Sequence, residues 1–281
     1  MGMDRISRLF DKLKDSGRAA FVAYITAGDP DFDTSLKVAA MLASSGVDML
    51  ELGVPFSDPL ADGEANQLAA ARALRSGMTP MRVLDLARGI RAECPELPLV
   101  LFTYLNPVAN LAETAFPEFC RLAFDAGVDA ILPLDLPPEE AERACSPEEG
   151  APSYRDAIRD AGLKLVSLVA PNTPDSRIPV LTDTADAFIY LISREGVTGE
   201  GDSFSADFAD RLAVTRGNTD LPIVVGFGIS KPEHVASAAA TGVDGVVVGS
   251  AIVRRVEALA EGRGTLDELG VWISSMTAAL A

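Results

Sequence analysis

The sequence has little of several residue types, and each shortage excludes a class of function. Among its 281 residues there is one histidine, His234, and there are three cysteines. Cys94, Cys120 and Cys145 are odd in number and form no CxxC motif, which indicates free thiols in a reducing compartment. With so few nitrogen and sulfur ligands, a zinc site is hard to assemble, and we expect no metal.

The chain also has little basic charge and no long apolar run. Lysine and arginine total 24 against 41 acidic residues, so the formal net charge is −17. This charge argues against a nucleic-acid partner or an anionic membrane surface. No run approaches the roughly 20 apolar residues of a membrane span, and the charged first residues lack a signal-peptide core. We therefore expect a cytoplasmic protein.

Short β-branched runs alternate with longer amphipathic runs along the whole chain. The predicted strands are 21–26, 47–52, 97–104, 128–134, 163–170, 186–192, 221–227 and 243–249. Their near-continuous apolar character is typical of a parallel sheet that is buried on both faces. Eight such alternations in this length predict a (β/α)₈ TIM barrel, which we expect to form one domain over residues 1–281.

Two segments fall outside the alternation. An opening helix places Ile6, Leu9, Phe10 and Leu13 on one face and has no strand before it, so we expect it to cover the bottom of the barrel. The polar segment 145–153, CSPEEGAPS, interrupts the expected fourth helix and is predicted to be a surface loop.

Glycine-rich strand ends predict a phosphate site. Active sites of such barrels lie in the loops after the strands. After the last two strands the chain reads GFGIS and GSAI, which places Gly226, Gly228, Gly249 and Ser250 before helices. Glycine lets backbone N–H groups approach a phosphate, and a helix N-terminus adds a favourable dipole. Ordinary turn chemistry is the alternative. The loop GVTGEG (196–201) is long enough to be a lid.

Acidic residues end the second strand. Glu51 would be partly desolvated there, which raises its pKa towards neutrality so that it can donate and accept protons. A salt-bridged core acid is the alternative. Asp62 lies in a loop that can fold over the barrel mouth, whereas Asp58 is interpreted as a turn residue. Tyr190 is either a hydroxyl in the same cavity or a core aromatic.

The positions of the lysines and of the histidine exclude two further kinds of catalysis. The five lysines all lie away from the C-terminal ends of the strands, so a Schiff-base mechanism lacks its nucleophile. His234 falls in the helix after the seventh strand, where we expect a surface or capping role. The chemistry that remains is carboxylate acid–base work on a phosphorylated substrate.

The motifs ELGVPFSDPLADG, TYLNP, DLPPEE, VAPNTP, SREGVTG, GFGIS and GSAIV occur in that order. Together they resemble the α subunit of tryptophan synthase over roughly residues 5–260, and the first motif is specific to that family. The resemblance implies a carbon–carbon lyase. It would cleave indole-3-glycerol phosphate to indole and glyceraldehyde 3-phosphate by a retro-aldol reaction, in the last steps of tryptophan biosynthesis.

The resemblance also implies roles for individual residues. Glu51 would protonate indole C3 and take the proton of the glycerol hydroxyl, Asp62 would bind the indole N–H, and Tyr190 would lie beside the glutamate. The other implied substrate contacts are Tyr24, Phe102, Leu132 and Phe227 around the indole, Thr198 and Gly199 in the closing loop, and Gly228, Gly249 and Ser250 at the phosphate.

A partner is implied as well. The family works as an α2β2 heterotetramer with a β subunit that holds pyridoxal phosphate, so this chain is expected to carry no cofactor of its own. The loops after strands two and six, together with residues 103–110, would form or flank the interface.

The chain departs from the family pattern at a few positions. Glu64 and Asn66 stand where proline and an aliphatic residue are usual, Tyr24 replaces a phenylalanine, and Glu195 replaces a small residue. We expect Asn66 to change ring packing or water access in the indole pocket.

Three other interpretations of the function remain open. The first is another phosphate-binding barrel, of the indole-glycerol-phosphate synthase or phosphoribosylanthranilate isomerase type, of which the synthase type requires a strand-end lysine. The second is a regulatory subunit that only activates a β partner. The third is a self-sufficient lyase that releases free indole.

Overall fold

Nine parallel strands form a nearly closed barrel with helices around it in the computed structural model, which describes residues 4–111, 114–193, 206–226 and 228–280. The strands are β1 Ala20–Thr26, β2 Met49–Gly53, β3 Leu99–Thr103, β4 Ala130–Pro133, β5 Lys164–Leu165, β6 Ser167–Val169, β7 Ile189–Ile192, β8 Ile223–Gly226 and β9 Gly245–Val248. Their order in the sheet is β5-β4-β3-β2-β1-β9-β8-β7-β6, so the predicted TIM-barrel fold is confirmed.

The helices follow the strands in the alternation that the sequence predicts. They are α1 Arg5–Ser16, α2 Phe32–Ser44, α3 Glu64–Arg75, α4 Pro80–Glu93, α5 Leu105–Ala109, α6 Phe116–Asp125, α7 Pro138–Ala141, α8 Tyr154–Asp160, α9 Ile178–Thr184, α10 Ala206–Arg216, α11 Pro232–Ala239, α12 Ser250–Ala260 and α13 Leu266–Ala278. In the part of the chain that the structure describes, no helix is both long enough and apolar enough to cross a membrane.

The prediction of one fifth strand over 163–170 is wrong, because the chain changes partner at Val166. Before it, β5 pairs with β4 through Leu165, and after it, β6 pairs with β7. The N–H of Val166 donates to the Ile131 carbonyl at 3.0 Å, so the segment continues without a turn. A cavity of about 190 Å³ lies at this seam, lined by residues of the β4 end, β6 and α9.

The opening helix covers the N-terminal end of the barrel, as predicted. Ile6, Phe10 and Leu13 are buried in one apolar cluster with the side chains that fill the barrel interior. The ring of Phe10 lies 6.2 Å from that of Phe188, just before β7. The apolar face of α1 therefore shields the interior side chains at the N-terminal end of the barrel from water.

Four aspartates at this same end bind both a strand and an arginine. Each carboxylate accepts a backbone N–H of the neighbouring strand and an arginine guanidinium; they are Asp48, Asp129, Asp186 and Asp244, with Arg18, Arg91, Arg159 and Arg216. For example, Asp48 Oδ2 accepts the N–H of Phe21 at 2.8 Å, and Arg18 binds both of its oxygens. We call these four pairs the Asp–Arg clamps.

The polar segment 145–153 lies where the fourth helix was expected, between α7 and α8. Ala144 and Ser153 form an isolated antiparallel bridge that closes it, and Cys145 N–H donates to the Pro152 carbonyl at 2.9 Å. Ser153 then caps α8 through its hydroxyl. The predicted surface loop is confirmed.

Candidate active site

Glu51 ends the apolar run of β2 with its side chain inside the barrel. It is fully buried, and neither Oε1 nor Oε2 has a hydrogen-bond partner among the described residues. Burial alone raises the pKa of this carboxyl to about 8 from its ordinary value of 4.5. The salt-bridged alternative is therefore wrong, and the group holds its proton at neutral pH.

Two tyrosines of the barrel wall lie near the glutamate, one on the neighbouring strand and one across the barrel. Tyr24 pairs with Glu51 in the β1–β2 register, and Tyr190 lies on β7 across the barrel. Burial raises the pKa of both phenols, and the negative charges of Glu51 and Asp62 raise them further. Because Coulomb interactions weaken with distance, these contributions indicate that Glu51 and Asp62 lie close to both phenols.

Glycine makes room for each tyrosine hydroxyl. A Cβ at Gly53 would collide with the hydroxyl of Tyr24, and a Cβ at Gly226 would collide with that of Tyr190. The Tyr24 hydroxyl lies 3.3 Å from Thr26 Oγ1. Gly226 therefore has a packing role in addition to the predicted phosphate site.

Apolar side chains form the walls of the same space. The rings of Tyr24 and Phe102 meet edge-on, with centroids 4.9 Å apart and planes at 71°. Leu132 is fully buried in the barrel interior beside them. An aromatic ligand would therefore contact rings and a leucine on one side.

Asp62 lies above this space in the loop between β2 and α3. Its Oδ2 accepts the Tyr104 hydroxyl at 3.0 Å, and that hydroxyl accepts the Ala61 N–H at 2.9 Å. Desolvation raises the pKa of Asp62 above its ordinary value, and the bonds from Tyr104 and Asn66 oppose the rise. Tyr104 is a site residue that sequence reasoning missed.

The first turn of α3 also binds Asp62. Asn66 Nδ2 lies 3.4 Å from Asp62 Oδ1, and Gln67 Nε2 donates to the Asp62 carbonyl at 2.8 Å. Asn66 Oδ1 is buried with no partner among the described residues. Glu64 is exposed in the first turn of α3, where an acid suits the helix dipole.

The predicted phosphate residues lie at the start of two helices. Gly228 adopts a left-handed conformation at φ 66° shortly before α11. Gly249 precedes α12 and offers no side-chain cap, and its carbonyl accepts the N–H groups of Ile252 and Val253. The N–H groups of Ser250 and Ala251, the first two of α12, have no acceptor within the helix and can bind an anion.

Other predicted residues have different outcomes. Thr198, Gly199, Phe227 and Glu195 lie outside the described residues. His234 is buried rather than at the surface, and its Nδ1 lies 3.4 Å from the Ser230 N–H before α11, which is a capping contact.

Asp58 is exposed, as a turn residue would be. Its backbone carbonyl accepts the Leu60 N–H at 2.9 Å, and its side chain accepts the Ser57 hydroxyl. The turn is therefore closed by the backbone of Asp58 rather than by its carboxylate.

Comparison with known proteins gives one consistent family. A family model described as tryptophan synthase alpha chain matches residues 10–280. A tryptophan synthase alpha chain of Opitutus terrae is 49% identical over 251 residues, which is 89% of each chain. One of Solibacter usitatus is 47% identical over 262 residues, covering 92% of this chain and 91% of the relative.

The fold agrees with solved structures of the same kind. A crystal structure of the tryptophan synthase alpha chain of Legionella pneumophila subsp. pneumophila superposes with a TM-score of 0.85. The two sequences are 32% identical, and the match covers 99% of this chain and 98% of that one.

Proposed function

Because the chain belongs to the tryptophan synthase alpha chain family, we propose that Glu51 and Asp62 carry out the α reaction of that family. The chain is a carbon–carbon lyase of tryptophan biosynthesis. Its reaction cleaves indole-3-glycerol phosphate to indole and glyceraldehyde 3-phosphate and uses no cofactor bound to this subunit.

The carboxyl of Glu51 is buried with no hydrogen-bond partner in the described ranges, and this observation supports the assignment most strongly. With its pKa raised to about 8, Glu51 is protonated at neutral pH and donates that proton to indole C3. The resulting carboxylate then accepts the proton of the glycerol hydroxyl while the bond between C3 and the glycerol carbon breaks. One proton leaves Glu51 and one returns, so the group is regenerated.

Asp62 acts at the other side of the indole ring. Protonation at C3 leaves positive charge at the ring nitrogen, and a carboxylate that accepts the N–H stabilises it. The Tyr104 hydroxyl bond favours the ionised form of Asp62. Tyr24, Phe102, Leu132 and Phe227 would pack on the ring, and Tyr190 would lie beside Glu51.

The opposite end of the substrate is an anion. We assign its phosphate to the N–H groups at the start of α12, with Gly228, Gly249 and Ser250, because a helix N-terminus attracts negative charge. Thr198 and Gly199 would belong to the loop that closes over the site. The strongly negative chain needs such local dipoles to hold a phosphate.

A β subunit that binds pyridoxal phosphate is the proposed partner, in an α2β2 assembly. Leu60 supports this, since its side chain is 93% exposed in the loop that carries Asp62. Covering an almost fully exposed leucine removes its apolar surface from water, which would favour binding of a partner at this loop. Tyr104 ties this loop to the one around α5, so a partner that covers Leu60 would act directly on Asp62. We also propose a cytoplasmic location, which the free cysteines support.

One assay tests the proposal. Purified chain is given indole-3-glycerol phosphate, with and without a β subunit, and indole formation is followed. We expect slow turnover alone, strong activation by the partner and near-total loss in Glu51→Gln. Full activity of Glu51→Gln would contradict the mechanism. Absence of turnover even with the partner would favour the regulatory subunit, and fast turnover alone would favour the self-sufficient lyase.

A further inference from the structure

Three charged side chains outside the reacting groups join the two ends of the site. Arg72 on α3 donates through Nε to Asp29 Oδ1 at 2.7 Å and through Nη2 to Asp29 Oδ2 at 2.9 Å. Its Nη1 donates to Glu257 Oε1 of α12 at 2.7 Å. We call Asp29, Arg72 and Glu257 the Arg72 triad.

Arg72 is well fixed in this arrangement. The Asp29 side chain is 2% exposed and that of Arg72 17% exposed, so water competes little for either. Within the described ranges, Arg72 is the only side chain that forms an ion pair with Asp29 or Glu257. Ser76 adds a second tie between α3 and the same loop, because its hydroxyl donates to the Gly28 carbonyl at 3.1 Å.

One arm of the triad leads to Asp62. Gln67 and Asn66, in the first turn of α3, hold the backbone and side chain of Asp62. From Gln67 to Arg72 the helix rises by about 8 Å, at roughly 1.5 Å per residue. The position of α3 along its axis therefore sets the position of Asp62.

The other arm leads to the phosphate end. Glu257 follows Ser250 by two turns of α12, which is about 10 Å along the helix. Movement of α12 along or across β1 would carry the open N–H groups with it. Arg72, carried by the helix behind Asp62, thus binds the helix behind the phosphate through Glu257 and the loop after β1 through Asp29.

We propose that Arg72 is a positioning residue that sets the separation between Asp62 and the start of α12, and so the fit of a substrate that spans both. The inference rests on the proposed function, because it uses the proposed indole and phosphate ends. Lysine cannot replace Arg72 here, since one ammonium cannot bind two carboxylate oxygens and a second carboxylate with the geometry of a planar fork.

The test compares ligands that touch one end with the substrate that touches both. Arg72→Lys is expected to raise the KM for indole-3-glycerol phosphate about tenfold, because small misplacements of reacting groups are costly. Inorganic phosphate alone and indole alone each touch one end and should keep their affinities. Glu257→Gln removes only the negative charge of the α12 arm and keeps an oxygen that Arg72 can bind, so it should raise the KM in the same direction by less. This variant covers the case in which Arg72→Lys folds poorly.

Arg18→Lys is the matched control. Arg18 binds both oxygens of Asp48 in a clamp at the opposite end of the barrel, so its loss lowers the melting temperature without touching the site. A normal KM in both Arg72→Lys and Glu257→Gln would overturn the proposal. If the affinity for inorganic phosphate fell by the same factor as the KM for indole-3-glycerol phosphate rose, the proposal would also be overturned. The triad would then act on the phosphate end only. Activity of Glu51→Gln would instead count against the proposed function, whatever the Arg72 variants do.

Discussion

The Asp–Arg clamps at the N-terminal end of the barrel and the two proposed reacting acids at its C-terminal end hold their carboxylates in opposite ways. At the N-terminal end each aspartate of an Asp–Arg clamp has a strand N–H and a guanidinium. At the C-terminal end, among the described residues, Glu51 has no partner, and the Asp62 carboxylate is bound by the Tyr104 phenol and the Asn66 amide rather than by a cation. An acid with partners stabilises the sheet, whereas an acid without them keeps a proton that it can give away.

The largest effect is expected from Glu51→Gln. Activity should fall by about 10²–10⁴-fold, the usual contribution of general acid–base catalysis, while folding is spared. The folded chain keeps the Glu51 proton up to a pKa of about 8, whereas the unfolded chain releases it near 4.5. Stability of the wild type therefore falls as the pH rises between these values, by about 5 kcal/mol.

Glu51→Gln removes this pH dependence. Urea unfolding at pH 5 and pH 9 should show a smaller loss of stability with rising pH in the variant than in the wild type. An equal loss in both chains would mean that Glu51 is not protonated in the folded barrel at neutral pH.

Asp129→Asn should give the opposite result at the other end. Asp129 binds Arg5 and Arg91 and accepts the N–H of Leu99, and its side chain is 6% exposed. Removing the charge leaves two guanidinium groups without their partner, at a cost of about 3 kcal/mol in the free energy of unfolding. The kcat/KM of the folded fraction should stay at the wild-type value. A fall in kcat/KM with unchanged stability would abolish the distinction between the two ends.

Tyr104→Phe tests the hydrogen bond to Asp62 at the C-terminal end and leaves the Asp–Arg clamps unchanged. It removes the donor to Asp62 Oδ2 and the acceptor of the Ala61 N–H. We expect kcat/KM to fall by about 10–100-fold, as for loss of a hydrogen bond to a charged group. Because that bond opposes the raised pKa of Asp62, its loss should move the acidic limb of the pH–rate profile to higher pH. If the acidic limb did not move, the group that titrates on the acidic side of the pH–rate profile would not be Asp62.

The smallest effect is expected from Asn66→Leu, which restores an aliphatic residue. The buried Oδ1 of Asn66 has no partner among the described residues, so its removal should stabilise the fold by about 1 kcal/mol. Asp62 loses one long contact of 3.4 Å and keeps Tyr104, so activity should change less than about tenfold. A melting curve and one kcat/KM measurement suffice. A lower melting temperature would show that Asn66 has a partner in solution.

Local pattern was enough to predict most of the scaffold. The strand of Glu51 was visible because an apolar run ends on an acid, and the plugging helix because its apolar residues share one face. The fifth strand was not predictable in detail. The segment from Lys164 to Val169 is continuous in pattern, and its change of partner at Val166 depends on how the barrel closes.

The parts of the site that could not be predicted from the sequence depend on contacts between residues far apart in the chain. Tyr104 and Asp62 are 42 positions apart, and Arg72 and Glu257 are 185 apart. No spacing rule joins them, because the barrel brings them together only after it closes. The Asp–Arg clamps are of the same kind, since each aspartate meets an arginine from another element.

The change of strand partner at Val166 leaves one part of the barrel wall with fewer regular ladder hydrogen bonds than the rest. Beyond Val166, β6 pairs with no strand but β7 in the described part of the chain, and a cavity lies where a ladder between β4 and β6 would continue. Segments with few backbone hydrogen bonds open first in local fluctuations. β3 and β4 separate the seam from β2, so we expect local opening at the seam to disturb the strand of Glu51 less than it disturbs β6.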